Sequence, residues 1–174
     1  MKNFKKLILV LTAIAMVSCG EKKEKEQIDL NDNSAGTSET INEDKSPQDE
    51  NVVEITITGN DQMQFNLKEI KVKAGQTVKL TLKHTGKMDK NVMGHNWVLL
   101  TSGTDMPEFG ALAGSAKATD YIPAGTDKVI AHTKLLSGGE SDTIEFVAPA
   151  AGTYDFVCSF PGHYALMKGM FIVE

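Results

Sequence analysis

The chain has 174 residues and a mass of 18.9 kDa, room for one domain of ordinary size with segments left over rather than for two. At 41% apolar and 24% charged residues it is neither collagen-like nor wholly disordered. A net charge of −5, a pI near 5.4 and 18 basic residues that are all lysine, with no arginine fork for phosphates or base edges, argue against a nucleic-acid binder. Two cysteines in very different settings argue against a disulfide scaffold.

Residues 1–18 read as a signal peptide. Lys2, Lys5 and Lys6 form a basic start, and Leu7 to Val17 is an apolar run of 11 residues. That run is too short to cross about 30 Å of hydrocarbon as a helix but suits the core of an export signal. The sequence Met16-Val17-Ser18-Cys19-Gly20 that follows resembles a bacterial lipoprotein leader, with Met16 where leucine is usual. The resemblance implies that Cys19 becomes a lipidated N-terminus carrying palmitate-type acyl chains. Ordinary secretion, with Cys19 discarded or free, is the alternative. Each buried CH₂ of such chains contributes roughly 0.8 kcal/mol, and two or more chains give stable anchoring.

Residues 20–50 hold 4 lysines against 10 acidic residues, and Ile28, Leu30 and Ile41 are their only large apolar side chains. They bury too little surface to offset the entropy of ordering, so 19–50 is expected to be a lipid-anchored cysteine followed by a disordered acidic tether. Residues 51–174 are left with 11 lysines and 13 acids. Such a nearly neutral domain would dock through apolar contact rather than charge.

From residue 51 onward the pattern is all-β. Val53, Ile55 and Ile57 alternate with Glu54, Thr56 and Thr58, and Gly59-Asn60-Asp61 signals a turn. Strand patterns recur at Met63–Phe65, Ile70–Val72, Val78–Leu82, Asn96–Leu100, Thr143–Val147, Tyr154–Cys158 and Met170–Val173. About eight short strands with Gly/Pro turns between them predict a sandwich or barrel. The Ala-rich stretch Thr104–Asp120 predicts one inserted helix, interrupted by Gly110 and Gly114.

One cysteine lies in this domain. Cys158, His163 and Met167 are spaced C-x4-H-x3-M, where a strand runs into a Pro161-Gly162 turn that can bring the three side chains round one point. Far upstream, His95 sits at the start of another strand pattern. A thiolate, two imidazoles and a thioether suit copper and match the donor pattern of blue-copper electron-transfer sites. Zinc is the near rival, although it more often recruits a carboxylate or a second cysteine. A Cys–His nucleophilic dyad is a third reading, with no orienting Asn or Asp and no oxyanion loop recognisable nearby.

At these residues the domain resembles the azurins, small bacterial blue-copper electron carriers. The resemblance rests on GNDQMQFN (59–66), KNVMGHNWVL (90–99), VIAHTKL (129–135) and CSFPGHYALMKG (158–169) and spans nearly all of 53–174. It implies a Greek-key β-sandwich of the cupredoxin type with a helical flap, matching Thr104–Asp120. It implies one type 1 copper ion held by His95, Cys158 and His163, with Met167 as a long axial contact and the Gly94 carbonyl on the other axial side. Asn96 and Phe160 would offer backbone N–H groups to the Cys158 sulfur, and the Asn96 side chain would tie the two ligand loops together. The family's disulfide positions are occupied here by Val53 and Gln76, so a domain without disulfides is expected. The residue after His163 is usually small; here it is Tyr164, expected to widen or partly screen the docking face.

The function implied is that of a tethered carrier without substrate chemistry of its own, passing single electrons between periplasmic redox partners such as c-type cytochromes, reductases or peroxidases. His163 would be the exit, ringed by an apolar docking patch of Met88, Val92, Met93, Phe160, Pro161, Ala165 and Leu166. Gly20 is not the familiar inner-membrane retention residue, which favours the outer membrane facing the periplasm; the Glu/Lys-rich start of the tether leaves cell-surface display open. Two competing functions carry less support. A copper chaperone or store would favour Met/His-rich or Cys-x-x-Cys patterns, and a copper nitrite reductase needs a further histidine cluster, for which only His84 and His132 are spare. The resemblance puts His84 half-buried near the copper loops and His132 on the surface. Trp97 is expected in the core.

Overall fold

The computed structural model describes residues 51–174; the expected signal peptide (1–18), the expected lipidated Cys19 and the expected acidic tether lie outside the described residues. Alternation in the sequence becomes two facing sheets. In chain order the strands are β1 (Val52–Asn60), β2 (Gln64–Phe65), β3 (Glu69–Val72), β4 (Thr77–His84), β5 (Val98–Leu100), β6 (Val129–His132), β7 (Ser141–Val147), β8 (Gly152–Val157) and β9 (Lys168–Val173). One sheet has the order β2-β1-β4-β7, the other β3-β9-β8-β5-β6. β1 pairs in parallel with β4 from Val52↔Thr77 to Gly59↔His84, and β3 pairs in parallel with β9; the other pairs are antiparallel.

β4 shows the cause most plainly. Val78, Leu80 and Leu82 are fully buried, while Lys79 and Lys83 face outward. Ile57 of the neighbouring β1 lies beside them in the same sheet, and Leu99 of β5, Phe156 of β8 and Phe171 of β9 meet them from the other sheet, with Trp97 among them. Fully burying side chains of this size contributes about 1.5–3 kcal/mol each. β5 is apolar on both faces: Leu99 enters this main core, and Val98 and Leu100 enter a second cluster with Phe109, Ala113, Ile122 and Val157.

The described strands number nine rather than about eight. The unanticipated one is β6, whose four residues Val129–His132 are half-buried to exposed without a readable alternation. The inserted helix is α2, Met106–Gly114, with the Asp105 carboxylate accepting the Glu108 N–H at its start. Gly114 ends it, but Gly110 does not interrupt it. A 3₁₀ turn follows at Lys117–Thr119. A second, short helix, α1 (Lys90–Met93), was not legible; Asp89 caps it by accepting the Asn91 N–H.

Candidate metal centre

At one end of the sandwich five segments converge: the turn after β1, the loop after β4, residues 93–97, the loop from β8 to β9, and the end of the helical flap. His95 enters between α1 and β5 and is held by a single bridge to Leu136. Cys158 directly follows β8, and Met167 directly precedes β9. Their backbones close the loop, the Cys158 N–H donating to the Met167 carbonyl at 2.9 Å. Within it a 3₁₀ turn starts at His163, entered through Gly162 at φ +81°, where a side chain would be strained.

The donor atoms of His95, Cys158 and His163 lie within 4.8 Å of one another, and all three residues are buried. The sulfur is 3.6 Å from His163 Nδ1 and 4.0 Å from His95 Nδ1. An ion at about 2.0 Å from nitrogen and 2.3 Å from sulfur in a trigonal plane sets those atoms about 3.7 Å apart. The three side chains therefore stand at the separations of a metal-ligating set. Among the described residues this is the one such group, and it contains no carboxylate. The Gly94 carbonyl lies 3.8 Å from the same sulfur. Met167 is fully buried at this end, its methyl beside Gly59, where a Cβ would come within 3.2 Å of it. Two soft sulfur donors and two imidazoles suit copper.

The tautomer of His95 follows from its other nitrogen. Nε2 sits 2.8 Å from the Asn60 carbonyl, which only accepts, so Nε2 carries the proton and the Nδ1 lone pair faces the sulfur. His84 is fixed in the same way: Nε2–H donates to Met93 O at 2.8 Å, and Nδ1 accepts the Gly86 N–H at 3.1 Å. Its ring stacks on His95 with centroids 4.2 Å apart. His84 is thus fully buried rather than half-buried. Asp61 accepts N–H groups from Lys87 and Met88 and so anchors the loop that carries Gly86; the Lys87 N–H holds its carboxyl below the usual range.

Asn96 is fully buried and joins three segments. Its Oδ1 accepts the Ser159 N–H at 2.8 Å, and its Nδ2 donates to Ser159 Oγ at 2.8 Å and to the Asp120 carbonyl at 3.0 Å. Asp120 and Tyr121 are both left-handed, at φ 54° and 62°, an unfavourable backbone for residues with side chains. The bend turns the Tyr121 ring edge-on to Phe160 at 5.1 Å, and Phe160 lies 4.6 Å from the His163 ring.

Burial pushes the Cys158 thiol up to about 12, opposed by the backbone N–H groups of Asn96 and Phe160 that face the sulfur. Burial also pushes His163 down to about 4, helped by His95 and His84 nearby. His95 is lowered too, mainly by burial, with the Asn60 carbonyl opposing. Two neutral imidazoles and a thiol result, ready for a cation that displaces one proton.

The expected surface patch is only partly on the surface. Met88, Val92 and Leu166 are 45%, 64% and 56% exposed, and Pro161 and Ala165 are exposed as well. Met93 is half-buried. Phe160 is a correction: its ring is buried between Tyr121 and His163 and offers little to a partner. Tyr164 is a second correction: its half-buried ring packs with the cluster beneath α2 instead of standing over the face. Position 94 requires glycine, because a Cβ there would run into the Lys90 carbonyl and sit 3.0 Å from the Leu135 side chain. His132 is exposed and outside the donor group. Asn60, Asp61, Ser159 and Tyr121 escaped the sequence reading. The first two were legible only as a turn, because what they contribute is a backbone carbonyl and a loop anchor.

Comparison with known proteins agrees with this chemistry. Residues 51–174 match the family described as copper binding proteins, plastocyanin/azurin family. Azurin of Bordetella pertussis is 53% identical over 122 residues, 66% of this chain and 79% of that protein. Azurin of Pseudomonas fluorescens biotype A is 46% identical over 127 residues, 69% and 97% of the two chains. Auracyanin A, a blue copper protein of Chloroflexus aurantiacus, superposes with a TM-score of 0.63 at 34% identity, covering 71% of this chain and 99% of its own. The fold is a cupredoxin β-sandwich with a small helix, the cofactor is copper, and the chain belongs to the plastocyanin/azurin family of copper electron-transfer proteins.

Proposed function

We propose that the protein is a membrane-tethered type 1 copper carrier that passes single electrons between periplasmic redox partners, without a substrate of its own. The observation that carries this reading is the buried His95–Cys158–His163 group, with sulfur-to-nitrogen separations of 3.6 and 4.0 Å. In this reading His95, Cys158 and His163 would hold the copper, with the Met167 thioether as a weaker donor and the Gly94 carbonyl near the Cys158 sulfur. Copper held there supplies a one-electron Cu(I)/Cu(II) couple.

The protein's own part is to keep the ligands still. His95 is clamped between the Asn60 carbonyl and the His84 ring. His163 leans on Phe160, and the Asn96 amide fixes the Cys158 loop to the His95 loop. Because these groups are already placed, little reorganisation accompanies a change of charge at the site. His95, Cys158 and Met167 have no exposed surface, whereas His163 keeps 3% of its own. The His163 edge is thus the shortest way out, and Met88, Val92, Pro161, Ala165 and Leu166 supply a small apolar face for transient partners such as c-type cytochromes, reductases or peroxidases.

Residues 1–18 act as a lipoprotein signal, Cys19 as the lipid-bearing terminus, 19–50 as the tether and 51–174 as the copper domain, held at the outer membrane and facing the periplasm. The copper-loaded full chain should show an intense absorption near 600 nm and the narrow copper hyperfine splitting of a type 1 centre. His163→Gly should lose that band and regain it on adding imidazole; a band unchanged without imidazole removes His163 as a ligand. Cys19→Ser should move the protein from the membrane to the soluble fraction. If it stays with the membrane, the anchor is elsewhere.

A further inference from the structure

We propose that Tyr164 and Gly110 form a latch that makes helix α2 a support of the loop carrying His163. Two observations meet here. Gly110 lies buried in the interior of α2, where glycine is the poorest choice short of proline. A Cβ at Gly110 would lie 2.6 Å from Tyr164 Cδ1 and 2.9 Å from its Cζ. The ring is therefore pressed against helix backbone at the one point where no side chain intervenes. It also packs against the buried cluster to which Phe109 and Ala113 of α2 belong.

Tyr164 follows His163 directly, within the same 3₁₀ turn. Whatever fixes its ring fixes the backbone from which the His163 imidazole projects. The aromatic stack of Phe160 and Tyr121 braces His163 from the other side. Glycine in the helix and tyrosine in the loop are thus one complementary pair: the bulk of one fills the space left by the other. The consequence is coupling. Order in α2 and order in the loop rise and fall together, and a ligand that fixes His163 also quiets the helix. Tyr164 acts as a positioning residue through its neighbour, and its hydroxyl plays no part in the contact.

This rests on His163 being a metal ligand, and the test separates the two ideas. Amide hydrogen exchange would be followed on the full chain, metal-free and loaded with Cu(I). Loading should slow exchange across 158–167 and also slow the α2 amides around Phe109–Ala113 at least tenfold. In Tyr164→Ala the loop should still respond, while the helix responds less than twofold; Tyr164→Phe should behave as the natural chain. If α2 responds equally in Tyr164→Ala, the latch is refuted. If 158–167 itself does not respond, the ligand assignment falls, and the pairing of Tyr164 with Gly110 is decided by stability alone. Stability gives a second readout that needs no copper. Gly110→Ala should lower the melting temperature of the metal-free natural chain, but in the Tyr164→Ala background it should raise it by about 4 °C, the gain in helix propensity. The same sign in both backgrounds refutes the pairing.

Discussion

Copper uptake should release one proton per metal at neutral pH, and that proton should come from Cys158. In the folded, metal-free protein, burial holds the thiol up at about 12, so at pH 7 it is protonated. The same burial holds His163 down at about 4 and lowers His95, so both imidazoles are neutral. The thiolate is the form that binds metal; the imidazoles bind as they stand. Between about pH 7 and pH 9 the apparent copper affinity should therefore rise tenfold per pH unit, about 1.4 kcal/mol each. From pH 7 to pH 9 the gain is about a hundredfold, and toward pH 4 the slope should steepen as His163 begins to hold a proton of its own. A competition titration of the full chain against a copper chelator across this range gives the slope, and proton release in weak buffer gives the count directly. A count near zero at pH 7 would mean a thiolate already formed, with Asn96 and Phe160 outweighing burial. A count near two would mean a charged imidazole. Either result would refute the balance of burial against hydrogen bonding argued above.

Other changes should act on the neighbours of the site. Asn96→Ala removes three hydrogen bonds, two of them buried and one part-buried, that join residues 96, 120 and 159. It should cost about 2–4 kcal/mol by denaturant unfolding and quicken copper loss to a chelator. Gly59→Ala sets a Cβ 2.9 Å from the His95 ring and 3.2 Å from the Met167 methyl. The His95 contact is the tighter, so the ring or the β1 backbone must shift against its clamp, and the optical band ratios and EPR symmetry should change for about 1–3 kcal/mol of overpacking. The metal-free protein should lose stability on acidification: the folded pKa of His163 is depressed, so its contribution is whole above about pH 6.5 and disappears as the pH falls toward 4. Equal unfolding midpoints at pH 7 and pH 4.5 would contradict this. Trp97 is fully buried, its Nε1 has no partner, and Phe146, Phe156 and Phe171 surround it. Its fluorescence should be that of indole in hydrocarbon, and red-shifted emission from the native state would contradict the packing.

The donor types and their spacing were legible because chemistry and chain order coincide there: three of the four candidate donors fall between Cys158 and Met167. β4 could be read residue by residue because its apolar and polar side chains alternate. What stayed hidden depends on backbone. The Asn60 carbonyl that orients His95 has no signature in side-chain identity, since any residue at 60 has one. β6 has no alternation because both of its faces are only partly covered. Gly110 was misread as a break, since propensity sees the missing Cβ but not the Tyr164 ring that fills its place. Phe160 was assigned to the surface by proximity to His163, while its edge-to-face contact with Tyr121 takes it inside.

The segment from Cys158 to Met167 is tied off at its base, where the Cys158 N–H meets the Met167 carbonyl and Val157 is already paired with Lys168. Both sulfur-bearing residues thus stand at the fixed roots of a hoop, and the imidazole of His163 rides near its crown. Thermal amplitude in such a hoop grows from root to crown. Warming should therefore act in a set sequence, with the His163 ring loosening first while Cys158 and Met167, at the roots, keep their places beside His95.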